Sequence, residues 1–296
     1  MRISSALAAR LLAFAALVGV AAPARAEPAL AVPPPAPPDA PDHFVDPTMR
    51  RTWSDGEPRA FVSTQIDAGY LYLRPRVSAG WGMPFHAWIG ADANPVANAN
   101  SAGGYAGVRA ALPFVDLRVG ARQLFSYQRR YITPASSIDA YALESTVNGH
   151  GHSLAGEAEL DSAIPVGPGR LLALASASYV TQVPDGDWVY EEALRVVVAP
   201  PWVLRARVGY AIPIPGLRSF TAAPVVDALW VPERDARLAR SASLRAGVIL
   251  RAVLSRHLEV RGVFVPTVRS PDTIGLAGGD FTELGLRYRW ATGATP

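Results

Sequence analysis

The segment NGHGHS, Asn148 to Ser153, holds the residue types nearest to chemistry in this chain. Two histidines, His150 and His152, offer metal ligands, and a serine beside a histidine begins a nucleophile and base pair. Neither arrangement completes. A zinc site takes three or four ligands, and beyond Ser153 the chain continues with Glu157, Glu159 and Asp161 on one parity and Leu154, Ala158 and Leu160 on the other. In an extended strand the histidines then point away from those carboxylates, and Ser153 points away from both histidines. Ile274 to Asp280, IGLAGGD, has the glycines of a phosphate loop without its lysine or a following helix. Asp272 and Asp280 in the same loop could bind calcium, yet they read more simply as turn formers. No catalytic, cofactor-binding or metal site is expected.

The group present in quantity is guanidinium. All 28 basic residues are arginine and there is no cysteine. The N-terminus carries Arg2, the apolar run LLAFAALVGVAA and the small-residue site ARA before Glu27, the order of a secretory signal peptide over residues 1–26. Arg2, Arg10 and Arg25 leave with it, so 28 arginines become 25, against 25 Asp plus Glu. A mature chain with that balance lacks the net basic surface that a nucleic-acid partner requires. An exported protein without disulfides must take its stability from its fold. Residues 27–60 open with EPALAVPPPAPPDAP, and proline at that density favours extended, unpaired backbone, so this part reads as a periplasmic linker.

The elements that must position the arginines are strands. In YLYLRPRVSAGW, Leu71, Leu73, Val77, Ala79 and Trp81 oppose Arg74, Arg76 and Ser78; in FHAWIGADAN, Phe85, Ala87, Ile89, Ala91 and Ala93 oppose Asp92 and Asn94; and in VDLRVGARQLFSYQ, Val115, Leu117, Val119, Ala121, Phe125 and Tyr127 oppose Asp116, Arg118 and Arg122. The same period of two recurs around Arg205, Arg207, Arg245 and Arg251. Tight connections are expected near Gly82 to Pro84, Pro113, Pro165 to Gly169, Pro213 to Gly216 and Ser255 to His257, with an early turn near Asp67 to Gly69. Longer ones are expected at Pro95 to Ala102, Tyr131 to Ser145, Pro184 to Trp202, Pro232 to Arg240 and Arg269 to Asp280. Val189 to Trp202 has room for a further strand.

Many of these strands run to about ten residues, the length a tilted strand needs to cross a bilayer. Past the signal peptide no run of 18 apolar residues occurs, so a membrane form must be a closed barrel. Aromatic residues near strand ends, Trp81, Phe85, Tyr127, Tyr210, Trp230, Tyr288 and Trp290, suit the interfacial girdles of such a barrel. The expected fold is all-β: a single antiparallel transmembrane β-barrel over residues 61–290, about 12 strands with 10–14 allowed, and a tail at 291–296.

The last strand, ELGLRYRW, puts Leu284, Leu286, Tyr288 and Trp290 on one face and Glu283, Gly285, Arg287 and Arg289 on the other. Glu283, Gly285, Tyr288 and Trp290 resemble the terminal-strand signal of bacterial outer-membrane β-barrel proteins. The resemblance implies insertion into the outer-membrane bilayer by the barrel-assembly machinery. The chain departs from the common pattern in continuing as ATGATP past the final aromatic.

The polar parity carries Arg74, Arg76, Arg109, Arg118, Arg122, Arg130, Arg205, Arg207, Arg245, Arg251, Arg261, Arg287 and Arg289, against Asp92, Asp116, Glu157, Glu159, Asp161, Glu259 and Glu283. The working reading of this face is a pore for small solutes with an anion-biased lumen; the alternative is an arginine–carboxylate ladder that fills a plugged lumen in a structural or surface-interaction barrel. An outer-membrane hydrolase is the remote third. The barrel is expected to be a monomer without enzymatic activity.

Overall fold

The computed structural model describes Trp53 and residues 57–69, 72–98, 101–143, 150–214, 217, 219–234, 241–274 and 281–293. The expected signal peptide, most of the linker and the end of the tail lie outside them. The strands are β1 (Arg59–Gly69), β2 (Tyr72–Met83), β3 (Ala87–Asn98), β4 (Ser101–Ala111), β5 (Val115–Arg130), β6 (His150–Val166), β7 (Gly169–Thr181), β8 (Val189–Glu191), β9 (Val196–Val198), β10 (Trp202–Pro213), β11 (Phe220–Trp230), β12 (Ala242–Val253), β13 (Leu258–Val265), β14 (Thr267–Arg269) and β15 (Phe281–Ala291). Among the described residues one helical turn, Ala140–Leu143, accompanies them.

Twelve of the strands form a closed antiparallel barrel. Each wall strand pairs with its neighbours in chain order, β7 pairs with β10, β11 pairs with β12, and β1 pairs with β15 through Ser63↔Ala291 to Gly69↔Gly285. Closure pairs the first wall strand with the last, the condition for β-structure inside lipid. Pro266 separates β13 from β14, which pairs only with β12, so these two pieces share one place in the wall.

Period two sorts the side chains. Leu73, Val77, Ile89, Val108, Leu117, Val119, Leu160, Val208, Val226, Leu284 and Leu286 are exposed on the outside, whereas Ser63, Ser78, Asp92, Asp116, Arg122, Asp227 and Glu259 are buried on the inside. Aromatic residues ring both ends of the outer surface. Trp81, Phe114, Phe220 and Trp290 stand at the end with the short turns, and Phe125, Tyr127 and Tyr179 at the other. An apolar band between two aromatic girdles is the surface a bilayer requires.

Inside, Tyr105 lies across a pair of facing glycines. A Cβ on Gly107 would overlap its hydroxyl and one on Gly120 would come within 2.6 Å of it, so a smooth wall at the β4–β5 ladder is what lets the ring lie flat. The Arg118 guanidinium stacks over the same ring at 5.1 Å.

Four expectations need correction. Asp67 to Gly69 is strand, not turn: Asp67 pairs opposite Arg74 and Arg287, and an arginine partner outweighs the local turn preference of Asp and Gly. Pro95 to Ala102 is mostly ladder, with Pro95 opposite Gly104. Val189 to Trp202 adds no wall strand, because its β8–β9 hairpin is a separate two-stranded sheet. Phe85 does not join the outer girdle: it sits in the β2–β3 turn at φ 59° and packs edge-on against Trp53 at 4.8 Å.

Candidate functional site

The inner wall is a set of arginine clusters, each gathered around one carboxylate. Glu259 of β13 has a fully buried side chain and meets Arg251 at 2.6 Å, Arg289 at 3.1 Å, Arg287 at 3.4 Å and Arg261 at 3.9 Å. Asp227 of β11 is also fully buried. Arg205 grips it with Nε at 2.8 Å and a terminal nitrogen at 2.9 Å, Arg207 donates at 3.0 Å, and Arg245 stands at 3.8 Å. Period two explains the grip, since Arg205 and Arg207 are neighbours on one face of β10 and Arg207 lies directly opposite Asp227.

Around the rest of the wall Arg109 holds Asp116 at 2.5 Å and approaches Asp92 at 3.7 Å, Arg76 approaches Asp92 at 3.8 Å, and Arg118 holds Glu159 at 2.6 Å. Arg122 pairs with Glu157 and reaches Glu191 at 3.7 Å. Arg287 bridges to Asp67 at 2.7 Å, and Gln65 accepts from Arg289 at 3.2 Å. Asp161 faces Asp116 across the β5–β6 ladder, and Arg74 faces Asp67. The side chains of Glu283 and Arg130 lie outside the described ones.

The space above these clusters is filled by the chain itself. In the β7–β10 connection, both strands of the β8–β9 hairpin are buried, with Val197 and Val198 fully covered. Val189, Leu194, Val196, Val198 and Ala199 pack on Ala155, Val180, Val203 and Leu229, which are inward residues of β6, β7, β10 and β11. The hairpin's other side, Tyr190 and Val197, packs on Ile132, Ile138, Leu143 and Ile274 from the β5–β6 and β14–β15 connections. Polar contacts fix the position: Arg245 donates to the carbonyls of Leu194 at 3.0 Å and Arg195 at 2.7 Å, and Glu191 meets Arg122. Arg234 then binds Asp272 at 2.5 and 2.8 Å while stacking on Trp188, and Asp272 also accepts from the Ile138 amide. At the turn end, Phe61, Trp88 and Ala111 form a small apolar cluster, and Trp53 is buried against Phe85 and His257. Between the two ends lie arginine-lined cavities of about 320, 310 and 230 Å³.

The wall separates His152 from Ser153. His152 is on the outside, stacked on Phe125 and bonded to the Tyr131 hydroxyl at 2.8 Å, while Ser153 is buried on the inside. His150's side chain and Asp280 lie outside the described residues. Asp272 spends its oxygens on Arg234 and a backbone amide, and among the described residues no group of three metal-ligating side chains occurs.

Sequence reasoning missed Asp67, Asp227 and Glu191 as partners of the arginines. Asp227 was hidden because β11 is apolar on both faces; its inward row is Thr221, Ala223, Val225, Asp227 and Leu229. Two prolines beside the run VVV mark the hairpin as special in sequence, but nothing there says which way it folds.

A closed antiparallel ladder with an apolar outer band and a polar interior defines a class: the transmembrane β-barrels of the bacterial outer membrane. No protein-family model matches the chain and no curated protein matches it. Among solved structures it is similar to the NanC porin, at 12% identity over 79% of this chain and 98% of that one, with a TM-score of 0.36. It is similar also to OmpT with loop L8 deleted, an outer membrane protein of Vibrio cholerae, at 7% identity over 79% and 98% of the two chains, TM-score 0.36. The translocator domain of the autotransporter NalP from Neisseria meningitidis gives 11% identity over 79% and 89%, TM-score 0.37. The class assignment rests on the chain's own ladder and surface. A barrel of this class can be a pore, an enzyme or a scaffold, so the fold alone does not decide among them.

Proposed function

We propose that the protein is a non-conducting, non-enzymatic outer-membrane barrel whose lumen is plugged by its own β8–β9 hairpin and whose loop end is presented at the cell surface. The burial of that hairpin against the inward residues of four wall strands carries the reading. The clusters support it, because most lumen carboxylates are engaged by one or more arginines and so are poorly placed to act as general acids or bases. Placing the loop end outside follows the habit of these barrels, whose short turns face the periplasm. Purified barrel added to a planar bilayer should give no steady conductance. Well-resolved open steps from the unmodified protein would overturn the plug.

A second reading, an anion-preferring pore in a shut state, is favoured by the arginine-lined cavities inside the barrel.

Assembly by the outer-membrane machinery is part of the proposal. Tyr288 and Trp290 are exposed on the outer face of β15, where a receptor for the terminal strand can read them. Trp290→Arg should lower the amount of folded barrel in the outer membrane severalfold. A charge near the rim costs only about 0 to 1 kcal/mol, so the loss should appear in insertion yield and not in the stability of the barrel that does fold. Undiminished folded protein in membrane fractions would count against this role.

A further inference from the structure

The central cavity of about 310 Å³ is lined by eight arginines and four carboxylates. The acids behind the lining do not restore the balance, because each is shared: Asp92 by two arginines, Asp227 by three and Glu259 by four. Two of the lining arginines are held loosely. Among the described residues, Arg76 meets Asp92 only at 3.8 Å and its Nε has no hydrogen-bond partner, and Arg261 meets Glu259 only at 3.9 Å. Both distances exceed those of a charge-assisted hydrogen bond, about 2.7 to 2.9 Å.

A guanidinium taken out of bulk water needs a hydrogen-bonded counter-charge, and these two, which both line the cavity, have theirs only at 3.8 and 3.9 Å. They come from different parts of the wall. Arg76 is on β2 and Arg261 on β13, with β1 and β15 between them, a separation of about 14 Å along the wall at the usual strand spacing. Because the wall curves, side chains of that length converge on the same volume from two sides. The volume suits about ten waters at roughly 30 Å³ each, or a small anion with part of its hydration shell. The planar fork of arginine matches two oxygens of a tetrahedral or carboxylate anion, and a single chloride offers no such match.

We propose that this cavity binds a small multivalent oxyanion of the inorganic phosphate type, held between Arg76 and Arg261 and offsetting the surplus positive charge of the lumen. The site rests on the closed-lumen reading. Conductance tests that reading, whereas the site is tested by binding and stability in detergent, where no current is measured.

Folded barrel in a neutral detergent is titrated with inorganic phosphate, and with sodium chloride at matched ionic strength, while its unfolding midpoint is followed. Phosphate should raise the midpoint to a plateau that chloride does not reproduce, and combining Arg76→Gln with Arg261→Gln should remove most of that rise. An equal rise in chloride, or a full phosphate rise in the double variant, overturns the site. If the double variant does not fold, equilibrium dialysis of the unmodified barrel with radiolabelled phosphate decides. About one phosphate retained per barrel supports the site, and retention no greater than the detergent blank overturns it.

Discussion

Replacing Val189 to Val198 by a short Gly-Ser link should turn a silent barrel into an anion-preferring channel. The hairpin occupies the loop end of the lumen and contacts β6, β7, β10 and β11 on one side and two neighbouring connections on the other. Removing it exposes Ala155, Val180, Val203 and Leu229 but breaks no wall pairing, since β8 and β9 pair only with each other. The barrel should therefore still close and still migrate faster unheated than boiled in gel electrophoresis. The newly open path is lined by Arg122, Arg205 and Arg245. Screening at physiological salt acts over about 8 Å, so their field reaches ions in a narrow lumen and the preference should sharpen at low salt. Single-channel recording reads both effects. Should the folded variant stay silent, removing residues 27–57 as well takes away Trp53, which packs at the turn end against Phe85 and His257. Current in that double variant would place the remaining barrier at Trp53. Silence in both, or a preference for cations, would mean the hairpin is not the plug of an anion path.

The wall was legible in the sequence because a strand facing lipid on one side and polar side chains on the other has to alternate. Leu284, Leu286, Tyr288 and Trp290 against Arg287 and Arg289 show this, and so does the run from Val115 to Tyr127. The all-β closed barrel with 12 wall strands follows from that rhythm. The reading fails where the alternation stops. The inner row of β11 is apolar except for Thr221 and Asp227, so period two assigns it no inside. Phe85 sits in a left-handed turn, where strand parity has no meaning. The plug is the largest gap. A short apolar hairpin between prolines has the same composition whether it stands above the barrel or folds into it, and only contacts between distant strands distinguish the two. For the same reason 13 arginines and seven acids could be counted in sequence, but the sharing of Glu259 by four arginines could not. That sharing depends on β12, β13 and β15 lying side by side.

Glu259→Gln should be the most destabilising single substitution in the lumen. The change keeps the shape of the side chain and removes the charge on which Arg251, Arg261, Arg287 and Arg289 converge. Breaking a buried ion pair from one side costs about 3 to 5 kcal/mol, because the charge left behind is uncompensated, and here four guanidiniums lose a shared partner. They do not suffer equally. Arg287 keeps Asp67 at 2.7 Å and Arg289 keeps Gln65 at 3.2 Å, whereas Arg251 loses a two-nitrogen grip at 2.6 and 3.0 Å. The cost should therefore fall mainly on the β12–β13 ladder, which those two residues join. Arg251→Met should be costly alone, yet in the Glu259→Gln background it should recover part of the loss by removing the guanidinium that loses the closest contacts with Glu259. Arg261→Gln, whose ion pair is 3.9 Å long, should cost much less than either. The readout is the unfolding midpoint in urea for all four variants. Additive losses for Glu259→Gln and Arg251→Met would mean that the pair is not coupled, and an unchanged midpoint for Glu259→Gln would mean that the lumen clusters do not hold the wall together.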